Sequence, residues 1–265
     1  MKFAVVNHQR QEPLPALSGS CPACGQPMVA KCGGIKVWHW AHRGKRHCDV
    51  WWENETEWHR AWKGKFPLHW QEIVHEADTG EKHIADVKTD RDWVIEFQHS
   101  LLKPDERRSR DHFYPRLIWV VDGTRRKRDC KQLYAAWRDG APIGGDPKLR
   151  RARAENCVLL REWGDSNASV FFDLGEREVI WWRIAKCNDG AAYLVPYSRD
   201  QFIESHQGTT SEAAMTFDEV VSDIPKLVAD YEAQRRDQAL RQASVQTLPG
   251  FAQYLGRTAR RRRRF

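Results

Sequence analysis

Asp86, Glu96 and Gln98 are the residues whose types and spacing best support chemistry. They fall in HIADVKTDRDWVIEFQ at 83–98, which reads as two strands, 84–88 and 93–98, around a polar turn. Side chains alternate along a strand, so Glu96 and Gln98 share one face while Trp93, Ile95 and Phe97 form the other. The apolar face suits a core, which sets Asp86 and Glu96 at the rim of a cleft. Two carboxylates there could hold Mg²⁺ or Mn²⁺, a hard cation that stabilises charge developing on phosphate oxygens and lowers the pKa of bound water. Gln98, two residues past the second acid, could orient the attacking water. The chemistry this arrangement suits is phosphodiester hydrolysis.

A second group carries thiolates and imidazoles. Cys21 and Cys24 form the knuckle CPACG, His39 and His42 follow in HWAH, and Cys48 stands six positions later. Such donors at such spacing suit a closed tetrahedral Zn²⁺ site, a staple for a segment with little apolar content. Cys21 and Cys24 are the firm pair, and His42 with either His39 or Cys48 completes four ligands from these five. The alternation in VWHWAH predicts that Trp38 and Trp40 pack together with His39 turned opposite. Cys32, beside Gly33-Gly34, is the weakest candidate. Redox chemistry is disfavoured by the accompanying histidines.

Several elements must position these groups. Asn54 with Glu57 three residues on predicts the start of a helix, ETEWHRAWK at 55–63, and Gly64 and Pro67 stop it. Glu55, His59 and Lys63 lie on roughly one face of it. Spacing alone favours an ordinary solvated stripe there. Trp58 and Trp62, four apart, are expected to pack the helix on a sheet. Residues 68–75 read as a strand, 104–114 as a helix with Pro, Asp and Glu in its first turn, and 117–121 as a buried strand. The order is helix, three strands, helix, strand.

Asp86 and Glu96-Phe97-Gln98 resemble the PD-(D/E)xK nuclease signature, with glutamine where lysine is usual. The chain more closely resembles the CoiA-like competence proteins, through CPACG at 21–25, HWAH at 39–42, ETEWHRAWK at 55–63, HIADV at 83–87, IEFQHS at 95–100 and IWVVD at 118–122. The likeness covers about residues 15–125. It implies a nuclease core behind a zinc module, and it reverses the reading of the helix. Glu55 becomes an additional direct or water-mediated metal ligand, with His59 and Lys63 as phosphate or water contacts. Gln98 can only exchange hydrogen bonds where lysine would stabilise charge, and Lys63 could supply the missing cation.

Composition agrees with a polyanionic partner. The 265 residues hold 43 Lys and Arg against 36 Asp and Glu, a formal charge of +7, and the excess is clustered. Arg107, Arg108 and Arg110 lie beside the proposed acids, Arg126 and Arg128 follow the last core strand, and Arg260–Arg264, including Arg261, Arg262 and Arg263, close the chain. These arginines are expected to meet DNA phosphates, single- or double-stranded, the terminal run nonspecifically. No apolar run reaches membrane length and the N-terminal apolar stretch is too short for a secretory signal, so the expectation is a cytoplasmic protein with reduced thiols and no membrane partner. Thirteen tryptophans are more consistent with packing than with base stacking.

The expected fold class is α/β with a mixed sheet: a zinc-binding module over 1–50, a restriction-endonuclease-like core over 51–125, and an α+β extension over 126–245 with a long charged helix at 218–242. A basic tail over 246–265 is expected to be disordered. The extension could bind a protein partner or self-associate. The expected function is a metal-dependent deoxyribonuclease. The competing expectation is a DNA-binding adaptor, weak or inert in catalysis, that assists single-stranded DNA processing.

Overall fold

The computed structural model describes residues 1–44, 51, 55–77, 80–143, 146–184, 189–207 and 215–261, with 146–147 and 244–261 described by backbone alone. It is a mixed α/β fold with two sheets. The N-terminal sheet contains β1 (Ala4–Val6), β2 (Gln9–Gln11), β3 (Ser18–Ser20), β4 (Pro27–Lys31) and β5 (His39–His42), in the order β2-β1-β3-β4-β5. Neighbouring strands are antiparallel throughout. Asn7 and His8, both at positive φ, make the two-residue turn that a tight right-twisted hairpin demands. The core under this sheet is small: Met1, Ala4, Cys21, Met28 and Trp40.

Helix α1 (Glu57–Lys63) and a 3₁₀ turn at Leu68–Trp70 lead into the second sheet. That sheet opens with β6 (Gln71–Glu76), β7 (Lys82–Lys88) and β8 (Val94–Gln98); α2 (Pro104–Phe113) crosses over to β9 (Leu117–Asp122). The helix, three strands, helix and strand expected from the sequence are all present, as is the 83–98 hairpin. Strands β6, β7 and β8 pair antiparallel, and β8 pairs parallel with β9. Then follow α3 (Asp129–Arg138), β10 (Ala141–Ile143), β11 (Asp146–Arg153), α4 (Val158–Glu162), β12 (Ser169–Asp173), β13 (Val179–Arg183), β14 (Ala191–Ser198), α5 (Arg199–Gln207) and α6 (Phe217–Arg261).

The strand order β10-β11-β14-β13-β12-β9-β8-β7-β6 makes one nine-stranded sheet. The boundary expected at residue 125 therefore falls within a continuous sheet, because β12 pairs in parallel with β9. Helices cover both faces. Trp62, Ile95, Phe97, Ile118, Phe171, Phe202 and Phe217 build one core beneath α1, α5 and α6. Val94, Trp119, Leu133, Leu159, Leu160, Val170 and Phe172 build the other beneath α2, α3 and α4. All five residues of β8 are buried in consequence, as strands covered on both faces should be. Trp58 and Trp62 pack toward this sheet as expected, and both indole N–H groups donate to Asp173 at the end of β12, at 3.0 and 2.8 Å.

Helix α6 departs from the sequence reading. Where disorder was expected over 246–265, the backbone stays helical to Arg261. Its first turns bury Phe217, Val220 and Val228. Side chains from Arg236 to Ala243 are exposed on every side, so this stretch owes its helicity to local propensity rather than packing.

His206 of α5 is packed among Phe66, Phe202 and Phe217. Among the described residues neither of its ring nitrogens has a hydrogen-bond partner. Burial pushes its pKa down to about 3, with Arg91 adding repulsion. The unfolded chain takes up this proton below the ordinary value of about 6.5 and the folded chain does not, so stability is complete above that pH and falls as pH drops toward 3. The contribution is about 1.4 kcal/mol per pH unit. Urea unfolding at pH 5 and pH 7.5 should show roughly 2 kcal/mol less pH-dependent loss in His206→Leu than in the parent.

Candidate functional site

Lys63 is the centre of the acidic site. It is the last residue of α1, and Thr56, not Asn54, caps that helix by accepting the His59 N–H. Asn54 lies outside the described residues. Capping at Thr56 leaves Glu55 just before the first turn, with its carboxylate returned to the helix face that carries Arg60 and Lys63. Glu55 meets Arg60 at 2.5 Å and Lys63 at 2.7 Å. The Lys63 ammonium also lies 2.9 Å from Glu72 and 3.7 Å from Asp86. It is 2% exposed. Burial alone would lower its pKa, yet Glu72, Asp86 and Glu55 together raise it, so it stays charged.

Glu72 is the residue that sequence reasoning missed. The pairing of Gln71 with Val87 and Ile73 with Ala85 sets it opposite Asp86 across β6 and β7. Its φ of 48° is the left-handed region, uncommon for a residue with a side chain. Its carboxylate accepts the backbone N–H groups of Lys2 at 2.6 Å and Phe3 at 3.0 Å. Burial would push its carboxyl up, but Lys63 and the Lys2 N–H help hold it at about 2. Glu55 is likewise pushed up by burial and drawn below its ordinary value by Lys63 and Arg60.

Asp86 and Glu96 come from adjacent strands. The β7–β8 ladder runs through Lys88–Val94 and Val87–Ile95, and Asp86 then accepts the Phe97 N–H at 3.0 Å. That bond gives a buried backbone donor the partner it must have where the strands diverge. Glu96 is oriented by Arg110 of α2, 3.4 Å away. Arg110 in turn holds Glu106 at 2.5 Å and the Trp51 carbonyl at 2.6 Å.

These groups line one cavity of about 60 Å³, together with His59, Trp51, Met1, Ile84, Phe97 and Tyr114. That volume accepts a few water-sized groups. Among its lining side chains are four carboxylates, Glu55, Glu72, Asp86 and Glu96, and two side-chain cations, Lys63 and Arg110. Five of the six residues expected in catalysis, Glu55, His59, Lys63, Asp86 and Glu96, thus meet in one place. Gln98 does not line it; the side chain is buried and donates to the Ser100 carbonyl at 3.1 Å.

The arginines expected to bind phosphate are placed differently from one another. Arg110 faces Glu96 inside the cavity. Arg107 is buried against Asp165 and the Glu162 carbonyl, and Arg126 pairs with Glu162 and Asp129. Arg108 and Arg128 are exposed, Arg108 alongside Asp105 and Asp165. Arg261 is described by backbone alone, and Arg262 and Arg263 lie outside the described residues.

The sulfur and imidazole group assembles in the N-terminal sheet. The Cys21 N–H donates to the Gln26 carbonyl, and the Gly25 N–H donates back to the Cys21 carbonyl, closing a knuckle whose Gly25 sits at φ 71°. Such a turn favours glycine. Ligand atoms of Cys21, Cys24 and His42 all lie within 4.8 Å of one another, close enough to hold a metal ion such as zinc. Cys24 Sγ is 3.4 Å from His42 Nε2. His42 shares strand parity with fully buried Trp40, which faces it toward the cysteines. His39, a candidate ligand by sequence, points away and lies 2.8 Å from the Val37 carbonyl. Trp38 does not pack with Trp40 but is 43% exposed. Cys48 lies outside the described residues.

Comparison with known proteins gives one family match: residues 7–51 match the model described as Competence protein CoiA, N-terminal domain. The segment that carries Cys21, Cys24 and His42 is thus similar to the CoiA N-terminal domain, as the sequence motifs indicated. No curated protein and no solved structure matches the chain. Among the described residues no helix is long and apolar enough to cross a membrane.

Two measurements probe this site. Lys63→Met strands Glu55 and Glu72 without their buried counter-ion, and urea unfolding at pH 7 should show a loss of about 3–5 kcal/mol. The parent loses stability as pH falls from about 4.5 through about 2, where Glu72 takes up its proton; the variant should instead regain stability on mild acidification. For the second group, elemental analysis of protein purified from zinc-supplemented cells should show bound zinc that Cys24→Ala largely abolishes.

Proposed function

We propose, with the CoiA-like N-terminal domain as premise, that this chain is a divalent-metal-dependent deoxyribonuclease. Its second sheet serves as a PD-(D/E)xK-type core and Cys21, Cys24 and His42 bind structural zinc. The observation that carries this reading is the convergence of Glu55, His59, Lys63, Asp86 and Glu96 on one cavity. Nothing in their spacing requires α1 and the β7–β8 hairpin to meet there.

Asp86 and Glu96 are the natural ligands of Mg²⁺ or Mn²⁺, because Arg110 and the Phe97 N–H orient their carboxylates. A cation held there would stabilise charge on the phosphate oxygens and lower the pKa of its bound water. Glu55 and Glu72 hold the Lys63 ammonium beside Asp86, so Lys63 provides the fixed positive charge that Gln98 lacks. His59, whose Nδ1 is 3.2 Å from Thr56 Oγ1, is a water or phosphate contact. The exposed Arg108 and Arg128 and the terminal arginines suit contacts with the DNA backbone. Free thiols at Cys21 and Cys24 suit metal binding in a reducing cytoplasm. The exposed stretch of α6 suits a protein partner or a second copy.

A second reading is favoured by two observations, the turning of Gln98 onto Ser100 and the small cavity volume. It makes the chain an adaptor that binds single-stranded DNA and cleaves it weakly or not at all.

Incubation with single-stranded, duplex and supercoiled DNA distinguishes the two. The nuclease reading expects cleavage with Mg²⁺ or Mn²⁺, none with EDTA, and losses on the order of 10²-fold or more in both Asp86→Ala and Glu96→Ala. Binding without cleavage under every condition would select the adaptor.

A further inference from the structure

Beside the acidic cavity the structure holds a second pair that the foregoing account leaves without a role. His99 follows β8 directly, and its Nδ1 lies 2.7 Å from Asp122 Oδ2. Asp122, the last residue of β9, is 3% exposed, and its other oxygen accepts from the Thr124 N–H at 2.8 Å and the Thr124 hydroxyl at 2.6 Å. The carboxylate is thus fixed by the turn after β9, and it fixes the ring. A carboxylate on Nδ1 sets the imidazole orientation, leaves Nε2 as the atom that exchanges protons, and stabilises the imidazolium.

The pair stands next to the cavity. The His99 ring centroid is 6.4 Å from that of His59, a cavity-lining residue, and 6.3 Å from Trp58. Its side chain is 36% exposed, unlike the buried Asp122. From the turn after β9, Arg125 donates to the His99 carbonyl at 3.2 Å. The groups set against the ring are therefore Asp122 from β9 and Trp58 and His59 from α1, with Arg125 from the following turn on the backbone carbonyl. Because β8 and β9 are parallel neighbours, their C-terminal ends present His99 and Asp122 side by side, with His99 three residues along from Glu96. An ion-pair strut would have no use for a ring that remains open to solvent on one side.

We propose that His99 is the general acid of this site, with Asp122 as its positioning residue. The assignment rests on the nuclease reading and adds the group that serves the leaving oxygen. In the step, the oxygen of the attacking water forms the new P–O bond and that water's proton passes to solvent. The P–O bond to the sugar breaks, and the proton on His99 Nε2 passes to the departing oxygen. The ring is left neutral and takes a proton from solvent before the next turnover.

The test compares DNA with bis(p-nitrophenyl) phosphate, whose leaving group departs without a proton, under single-turnover conditions with Mn²⁺. His99→Gln should lose about 10²–10³-fold on DNA, the range of general acid catalysis, and less than about fivefold on the aryl ester. Asp122→Asn should show the same split between substrates at about tenfold. Retained aryl ester cleavage shows that each variant is folded. Equal losses on both substrates, or an unchanged rate on DNA, would overturn the assignment. If the parent cleaves and Asp86→Ala does not, an active His99→Gln refutes this inference alone; a parent inert on both substrates refutes the nuclease reading and this inference with it.

Discussion

The buried ammonium of Lys63 is the interaction on which the rest of the site depends. Taking an ammonium out of water costs several kcal/mol even after relaxation, and here Glu55, Glu72 and Asp86 offset it from three elements at once. The buried carboxylates of Glu55 and Glu72 would be costly in the same way without a counter-ion. The four groups are therefore stable only together, and their mutual need fixes α1 against β6 and β7. Glu72 extends the same network to the backbone of Lys2 and Phe3, so the first residues of the chain are tied to the acidic cavity by the acid that also holds Lys63.

That tie joins the two sheets. Met1 packs in the small core with Cys21, Met28 and Trp40, Ile84 packs against it, and Met1 and Ile84 both line the acidic cavity. Arg60 makes the second link, donating to Glu55 and, at 2.9 Å, to the Trp38 carbonyl. A metal ion at Cys21, Cys24 and His42 would thus brace a wall that the cavity uses. The five-residue core of the N-terminal sheet is small, and small cores gain most from such a staple. The N-terminal sheet reads as part of the scaffold of the acidic site rather than as a separate appendage.

Local pattern carried much of this into the sequence. Alternation in HIADVKTDRDWVIEFQ located β7 and β8, and the run of apolar residues located β9, because period and residue type are local properties. Trp58 and Trp62 could be assigned to packing from their four-residue spacing, but Asp173, which takes both indole N–H groups, lies more than a hundred positions away. The parallel pairing of β9 with β12 was hidden for the same reason. Glu72 was hidden by its backbone: a left-handed residue at a strand start breaks the alternation by which faces are read. The cap moved from Asn54 to Thr56 because two good capping residues stood close together, and Thr56 is the one whose oxygen meets the His59 N–H. His39 and His42 looked interchangeable in HWAH, yet opposite parity on β5 sends only His42 toward the cysteines.

On the proposed nuclease reading, glutamine in place of lysine at position 98 becomes intelligible. Both faces of β8 are covered, and all five of its residues are buried. A lysine at 98 would bring a charge to a place where Gln98 already meets the Ser100 carbonyl, away from the carboxylates that could offset it. A lysine at 63 reaches Glu55, Glu72 and Asp86 directly. The positive charge has the same electrostatic effect on a neighbouring phosphate from either backbone origin, since that effect depends on distance and local dielectric rather than on the strand that supplies it. What the scaffold adds is that the cation on α1 is held by three elements and in holding them shapes the cavity. Charge placement and folding are therefore met by one residue, which is why the site can dispense with lysine at 98 and why Lys63 cannot be regarded as an ordinary helix surface residue.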